Sequence, residues 1–422
     1  MEEPELQPRR KTPLGLLGAL YVSQSVPLGF FIIALPAIAR VEGLSLERVG
    51  LLQTLAFPFL LKFLWAPLVD RFGSKRAHFT SWIVPLQCLS ITAVIGLAML
   101  EPFSALSQTG GPLLFALIAL TTVFMISAAT QDVATDGLAV RIISPEKRGL
   151  ANGVQVGGYY LGQILGGGLA LLLYNQLGWK FSLLAMILPL GLPLVFLIGF
   201  REDRFASPIP KTGALGFRSL KQFFQRPGIW IWIPILISFR AGEQMALAML
   251  NPMLVDLDFS LEKLGLIVGL IGSLASLGGA LTGGTLVQRL GRKRSLLFFT
   301  SLLTLALLSY LAPAATGTWG SVVCAVSLVS FAGGAATTAL YTAMMDRCRS
   351  ESSASDFTLQ QSICATGPLL AVGLSGVSAA ALGYSGHFAL SAGITGLVVL
   401  FIAIRWKPED GVAPIRDSAA ES

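Results

Sequence analysis

Histidine and cysteine are nearly absent, with two and four in 422 residues. Cys88, Cys324, Cys348 and Cys364 form no C-x-x-C pair and no His/Cys ligand spacing, so neither a metal site nor a redox centre nor a cofactor is expected. His78 and His387 lie far apart with no Ser/His/Asp arrangement beside them, and the chain does not read as an enzyme. No glycine-rich turn joins a strand to a helix, so the phosphate loop of an ATP-driven protein is missing too. Charge is also scarce. Asp, Glu, Lys and Arg make up 13% of the chain, against roughly a quarter in soluble domains.

Long apolar runs fill the space that charge leaves, and the mean hydropathy is +0.71. Runs of about 20 apolar residues match a hydrocarbon core of about 30 Å, and a helix satisfies its own backbone there. Twelve such helices are expected, at 14–39, 49–69, 79–100, 112–140, 149–174, 181–200, 229–255, 263–287, 294–312, 319–345, 355–381 and 387–404. The net charge of +7 does not signal nucleic acid, because its placement follows these spans: 24 of the 30 Lys and Arg fall on one side and four on the other. Arg40, Arg48, Lys180 and Lys263 are the four, and Lys62 and Arg240 lie within helices. The basic side is cytoplasmic by the positive-inside rule, which puts both termini in the cytoplasm. The expected parts are a tail at 1–13, a six-helix bundle at 14–200, a cytoplasmic linker at 201–228, a second bundle at 229–404 and a tail at 405–422. Within the linker, Leu215, Phe217, Leu220, Phe223 and Phe224 suit a short interfacial helix.

The chain repeats itself. Ala66, Leu68, Asp70, Arg71, Gly73, Lys75 and Arg76 are answered 218 residues later by Gly284, Leu286, Gln288, Arg289, Gly291, Lys293 and Arg294, about half the chain length. Ser45 to Leu51 are echoed by Ser260 to Leu266 in the same way. Tandem halves of this kind are one architecture of secondary transporters, with substrate bound between the halves.

Polar residues inside apolar helices mark where such a site would lie. Tyr21 and Gln24 share the first helix with Pro27 and Pro36, which permit kinks. Gln131, Asp132 and Asp136 end the fourth, the two carboxylates on one face, with Asp132 about 12 Å inside by helical rise and Asp136 near the rim. An alternative keeps Asp132 and Asp136 structural, paired with Arg141, Lys147 or Arg148. Asn152, Gln155, Tyr159 and Gln163 form a polar stripe on the fifth helix among glycines that let neighbours approach. Arg240 and Glu243 share a face of the seventh at mid-membrane, where a charge is a functional-site hypothesis by default; a purely positional salt bridge is the alternative. Thr337, Thr338 and Tyr341 on the tenth helix, with Asp356, Gln360 and Gln361 on the eleventh, face the same region from the second half. Asp346 reads as a solvated end with Arg347 and Arg349. A membrane sensor or scaffold would need no such stripes.

The loop pattern small-x-Leu-x-Asp-Arg-x-Gly-x-basic-basic resembles the signature of the major facilitator superfamily. That resemblance implies an all-α membrane fold of twelve helices in two pseudo-symmetric six-helix bundles, working by alternating access. It also implies gating roles for Asp70, Arg71, Gly73, Arg76, Arg289, Gly291 and Arg292. The sequence departs from the signature at Ala66, where Gly is usual, and at Gln288, where Asp is usual. Leu61 to Asp70, Gln131 to Gly137 and Asp356 to Ser362 look like the clan of muropeptide permeases (AmpG), acetyl-CoA transporters and RhtX/FptX siderophore permeases. The stretches Ser355 to Ser362 and Leu20 to Phe31 look closest to the siderophore branch, and AmpG-type chains are longer, with extra membrane spans that are not seen here. The expected function is proton-coupled import of an iron-siderophore complex across a bacterial inner membrane by a monomer. A muropeptide or acyl-coenzyme is the alternative substrate. Tyr21, Gln24, Lys62, Gln131, Gln155, Tyr159, Arg240, Tyr341 and Gln360 are the candidate substrate contacts, and Asp132, Asp136, Glu243 and Asp356 the candidate proton carriers.

Overall fold

A hydrophobic chain in lipid has to bond its own backbone, and the computed structural model does so entirely with helices among the residues it describes: 13–43, 55, 57–100, 112–205 and 217–406. The basic tail, the first copy of the Ser-Leu-Glu echo, Leu215 and the tail beyond Trp406 lie outside the described residues. Nine helical runs among the described residues are long and apolar enough to cross a membrane. Two of them turn at a glycine with positive φ, Gly178 (75°) and Gly383 (66°), so each makes two passes. The second expected helix is described from residue 57 onward, which leaves eleven complete passes and part of a twelfth. In chain order these are α1 Leu14–Val41, α2 57–71, α3 Thr80–Ala98, α4 Pro112–Ile142, α5 148–177, α6 179–197, α7 Ile229–Asp256, α8 Glu262–Leu290, α9 Arg292–Thr316, α10 Trp319–Asp346, α11 353–382 and α12 384–405. A short helix, Arg218–Phe224, occupies the linker as expected.

Prolines and wide turns bend the helices that matter most. In α1 a π-helical turn, Phe30–Ala34, lies between Pro27 and Pro36, and the Leu35 N–H reaches back five residues to the Phe30 carbonyl. The widened turn meets a second one, Ile164–Leu169 in α5. Such turns relieve a backbone that proline has interrupted. α7 is broken outright between Ser238 and Ala241, and Arg240 sits at the break with φ −101° and ψ 0°.

Glycine lets the halves touch. Backbone meets backbone where α5 crosses α8: a Cβ added at Gly153 would lie 2.9 Å from the Ala280 carbonyl, and one at Gly284 2.7 Å from the Gly149 carbonyl. Small residues allow this approach where no hydrophobic force drives helices together in lipid.

Most hydrogen bonds between the halves lie toward one end of the bundle, where 143–147, 199–205, 217–228 and 347–352 are found; this is the linker end. There Asp70, at the end of α2, accepts from the Ala354 N–H (3.0 Å), the Ser355 N–H (2.8 Å) and the Ser355 hydroxyl (2.5 Å), holding the first turn of α11. The carboxylate meets the positive end of a long helix. Ser353 donates to the Gly137 carbonyl at 3.1 Å beside it. The other gating candidates play different parts. Gly73 packs so tightly on His78 that a Cβ would fall 2.4 Å from its ring, whereas Gly291 takes φ 77° to turn α8 into α9. Arg71, Arg76 and Arg289 are exposed.

Arg292 compensates for the missing acid at Gln288. It bonds Asp346 at 2.5 Å and the Pro145 carbonyl of the other half at 2.7 Å, while Arg148 bonds Asp346 from the first half at 2.9 Å. Asp346 is therefore not a free solvated end paired with Arg347 and Arg349 but a partly exposed acid held by a cation from each half. Arg347 lies between Trp232 and Trp406, 4.2 and 5.1 Å from their ring centres, and Arg349 turns to Asp356. Glu202 reaches from the linker to cap α3, accepting from the Phe79 and Thr80 N–H groups at 3.1 Å each.

Gly153→Val wedges α5 from α8, and overpacking of this kind costs about 1–3 kcal/mol. The thermal unfolding temperature of the detergent-purified protein should fall; an unchanged temperature would mean the two helices do not meet there. Asp70→Asn weakens charge-assisted bonds worth about 1.5–3 kcal/mol each, so transport rate should fall while substrate binding is retained, and normal transport at normal expression would show the latch is dispensable.

Candidate functional site

At mid-depth the two halves part around a cavity of about 310 Å³. α1 brings Tyr21, Gln24, Ser25 and Leu28 from the turns that precede its wide turn; α5 brings Gln155 and Tyr159 from its polar stripe together with Tyr160 beside them. Phe59 and Lys62 come from α2, Asp132 from α4, Arg240 from the break in α7, Thr337 and Tyr341 from α10, and Gln361 and Ser362 from α11.

Two ion pairs contribute to the lining of this space, one from each half. In the first, Lys62 Nζ bonds Asp132 Oδ2, and Gln24 Nε2 donates to Asp132 Oδ1 at 2.5 Å. Lys62 also donates to Gln361 Oε1 at 2.7 Å, so a charge of the first half is tied to an amide of the second. In the second pair Arg240 Nε bonds Glu243 Oε2 at 3.2 Å. Arg240 lines the cavity and Glu243 lies behind it, 3% exposed and packed so closely on α10 that a Cβ at Gly333 would fall 2.2 Å from its Oε1.

Of the candidate substrate contacts, Tyr21, Gln24, Lys62, Gln155, Tyr159, Arg240 and Tyr341 line the cavity. Gln131 and Gln360 do not. Gln131 is buried behind Asp132, and Gln360 accepts from the Trp232 indole at 2.7 Å while donating to the Met344 and Asp356 carbonyls at 3.1 Å each. Thr338 turns to the Gly334 carbonyl at 3.0 Å. Among the candidate proton carriers only Asp132 faces the cavity. Asp136 is wholly buried rather than at the rim, and its partners are Tyr21 (3.2 Å) and Gln155 (2.9 Å), not Arg141, Lys147 or Arg148. Asp356 lies at the linker end, held by Arg349 at 2.6 Å and Arg226 at 3.5 Å. His387 is buried, and its ring bonds the Met245 carbonyl at 3.0 Å and Ser378 at 2.8 Å.

Sequence reasoning missed Phe59 and Tyr160, and the pairing of Lys62 with Asp132. The one signal for that pair was a lone lysine in an apolar run, needing a buried acid somewhere within reach. No group of three or more His, Cys, Asp or Glu able to hold a metal occurs among the described residues. The cavity is lined by two cations, one from each half and each paired with a carboxylate, by four tyrosines, and by amides able to orient a ligand.

A family model described as the Major Facilitator Superfamily matches residues 17–365. The chain is 28% identical over 401 residues to the anhydromuropeptide permease of Escherichia coli (strain K12), covering 92% of this chain and 79% of that one. It is 23% identical over 398 residues to putative transporter AmpG 4 of Rickettsia conorii (strain ATCC VR-613 / Malish 7), covering 91% and 94%. Neither relative is named a siderophore permease, and coverage of 94% of a protein named AmpG removes chain length as a reason to choose that branch. Among solved structures, the Escherichia coli fucose:proton symporter FucP superposes with a TM-score of 0.67 at 14% identity, covering 94% of this chain and 98% of that one. A bacterial homologue of the iron transporter ferroportin, in an outward-facing state, gives 0.66 at 16%, covering 93% and 98%. These likenesses carry the fold, and with the family match over most of its length the chain belongs to the major facilitator superfamily, as a multi-pass membrane transporter built from two helical halves.

Proposed function

We propose that this transporter imports an anhydromuropeptide, a sugar-linked peptide bearing free carboxylates, across a bacterial inner membrane in exchange for the energy of a proton gradient. The observation that carries the reading is the cavity lined by Lys62 from one half and Arg240 from the other. Two fixed cations in a low-dielectric chamber select an anion with charges at both ends, and Tyr21, Tyr159, Tyr160 and Tyr341 offer flat faces to sugar rings. Muropeptide permeases among the relatives supply the substrate class.

The linker end is the cytoplasmic side in this reading, since it collects the basic residues. Closed there by Asp70 and Asp346, the structure corresponds to the state that awaits substrate from outside. Asp132 is the proton carrier because it meets the cavity and has a cation to release, whereas Glu243 holds the Arg240 guanidinium in place from behind. A ferric siderophore shares the anionic and ring character, so competition has to separate the two.

Proteoliposomes with an imposed pH gradient should accumulate labelled anhydromuropeptide, and unlabelled anhydromuropeptide but not ferric siderophore should compete. Arg240→Ala removes charge-assisted bonds worth about 1.5–3 kcal/mol, raising the half-saturation concentration roughly tenfold or more. Accumulation of a ferric siderophore with no uptake of anhydromuropeptide would replace this substrate with the siderophore.

A further inference from the structure

A buried carboxylate without a cation is the least comfortable group in a membrane protein, and Asp136 is one. It is 0% exposed, and among the described residues no Lys or Arg forms an ion pair with it. Its Oδ1 accepts from the Tyr21 hydroxyl and the Gln155 amide, both neutral, and its Oδ2 has no hydrogen-bond partner. Asp132, one helical turn away toward the cavity, already claims Lys62. A second negative charge beside the first would be uncompensated, so the neutral acid is the form that fits this place.

Asp136 also stands at the head of a buried polar column running toward the linker end. Gln155 and Asn152 lie three residues apart on one face of α5, 5% and 0% exposed, and the amide oxygen of each lacks a partner. Asn152 Nδ2 bonds the Arg148 carbonyl at 2.7 Å, and Arg148 bonds Asp346 at 2.9 Å, where both side chains reach solvent. The orphaned oxygens on Asp136, Gln155 and Asn152 each offer a buried acceptor that an internal water would satisfy.

We propose that Asp136 is the inner station of a proton route, holding the proton that Asp132 gives up and passing it along hydrated Gln155 and Asn152 to the linker end. The balance is simple. A proton entering from the cavity neutralises Asp132 and frees Lys62 for the substrate carboxylate; when the substrate leaves, Lys62 reclaims Asp132, whose proton moves to an Asp136 that has just released its own toward Asn152. The groups that face Asp136 are Tyr21 of α1, Lys62 of α2, Asp132 of its own helix, Gln155 of α5, Tyr341 of α10, Gln361 of α11 and the Cys348 thiol between α10 and α11. Only Lys62 among these is a cation, and Asp132 holds it.

The test begins with a readout that needs no substrate. Infrared spectra of the full chain in lipid should show the carbonyl band of a protonated carboxylic acid persisting at neutral pH, lost in Asp136→Asn and present in Asp136→Glu. A band unchanged in Asp136→Asn overturns the proposal, as does its absence from a wild-type protein that transports. The second readout rests on the function proposed above. Asp136→Asn should keep anhydromuropeptide exchange at equal pH and lose gradient-driven accumulation, Asp136→Glu should restore part of it, and Asn152→Leu should slow it severalfold. Full accumulation in Asp136→Asn also overturns the route. Wild-type protein that shows the band and carries no anhydromuropeptide would instead refute the substrate and leave the proton site standing.

Discussion

A lysine and an aspartate cannot lie at mid-membrane unless they meet, and the Lys62–Asp132 contact sets much of what surrounds it. Breaking one partner of a buried pair costs about 3–5 kcal/mol, against about 0–1 kcal/mol for a surface pair. α2 is thereby pinned to α4, and Gln24 of α1 is drawn onto the same carboxylate. The bond from Lys62 to Gln361 carries that constraint into the second half. Whatever competes for Lys62, whether a proton on Asp132 or an anion in the cavity, therefore acts on the joint between halves. This is how a local charge change gains access to a rigid-body motion.

The two halves solve the same problem with different chemistry. The first copy of the loop keeps Asp70 and sets it on the start of α11, while the second has Gln288 and uses Arg292, Asp346 and Arg148 instead. Both devices sit at the linker end, and there α5 meets α8 through small residues at Gly149, Gly153, Ala280 and Gly284. Backbone contacts at Gly153 and Gly284 leave no side chains to interlock, which suits two bodies that must pivot on each other.

Much of this was legible in the sequence because lipid imposes strict rules. The all-helical class and the inward-facing Tyr21, Gln24, Gln155, Arg240 and Tyr341 follow from the cost of exposing polar groups to hydrocarbon, and of the twelve expected helices eleven complete passes and part of another lie among the described residues. What failed was rotation and pairing. Gln361 lines the cavity and Gln360 does not, a difference of one residue and about 100° around the helix, and Thr337 differs from Thr338 in the same way. No local pattern says that Lys62 meets Asp132 from 70 residues away, or that Glu243 stands behind Arg240 rather than beside it. Those facts belong to tertiary packing.

The Lys62–Asp132 pair serves transport as well as holding α2 to α4, and a double-mutant cycle separates the two roles. Lys62→Met and Asp132→Asn should each lower the thermal unfolding temperature by stranding the partner, and each should abolish gradient-driven accumulation. Combining them should restore most of the thermal stability, because no charge is left unpaired, while accumulation stays lost. A double variant that recovers stability and also accumulates substrate like the wild type would show that the pair only holds the helices together, contradicting the account.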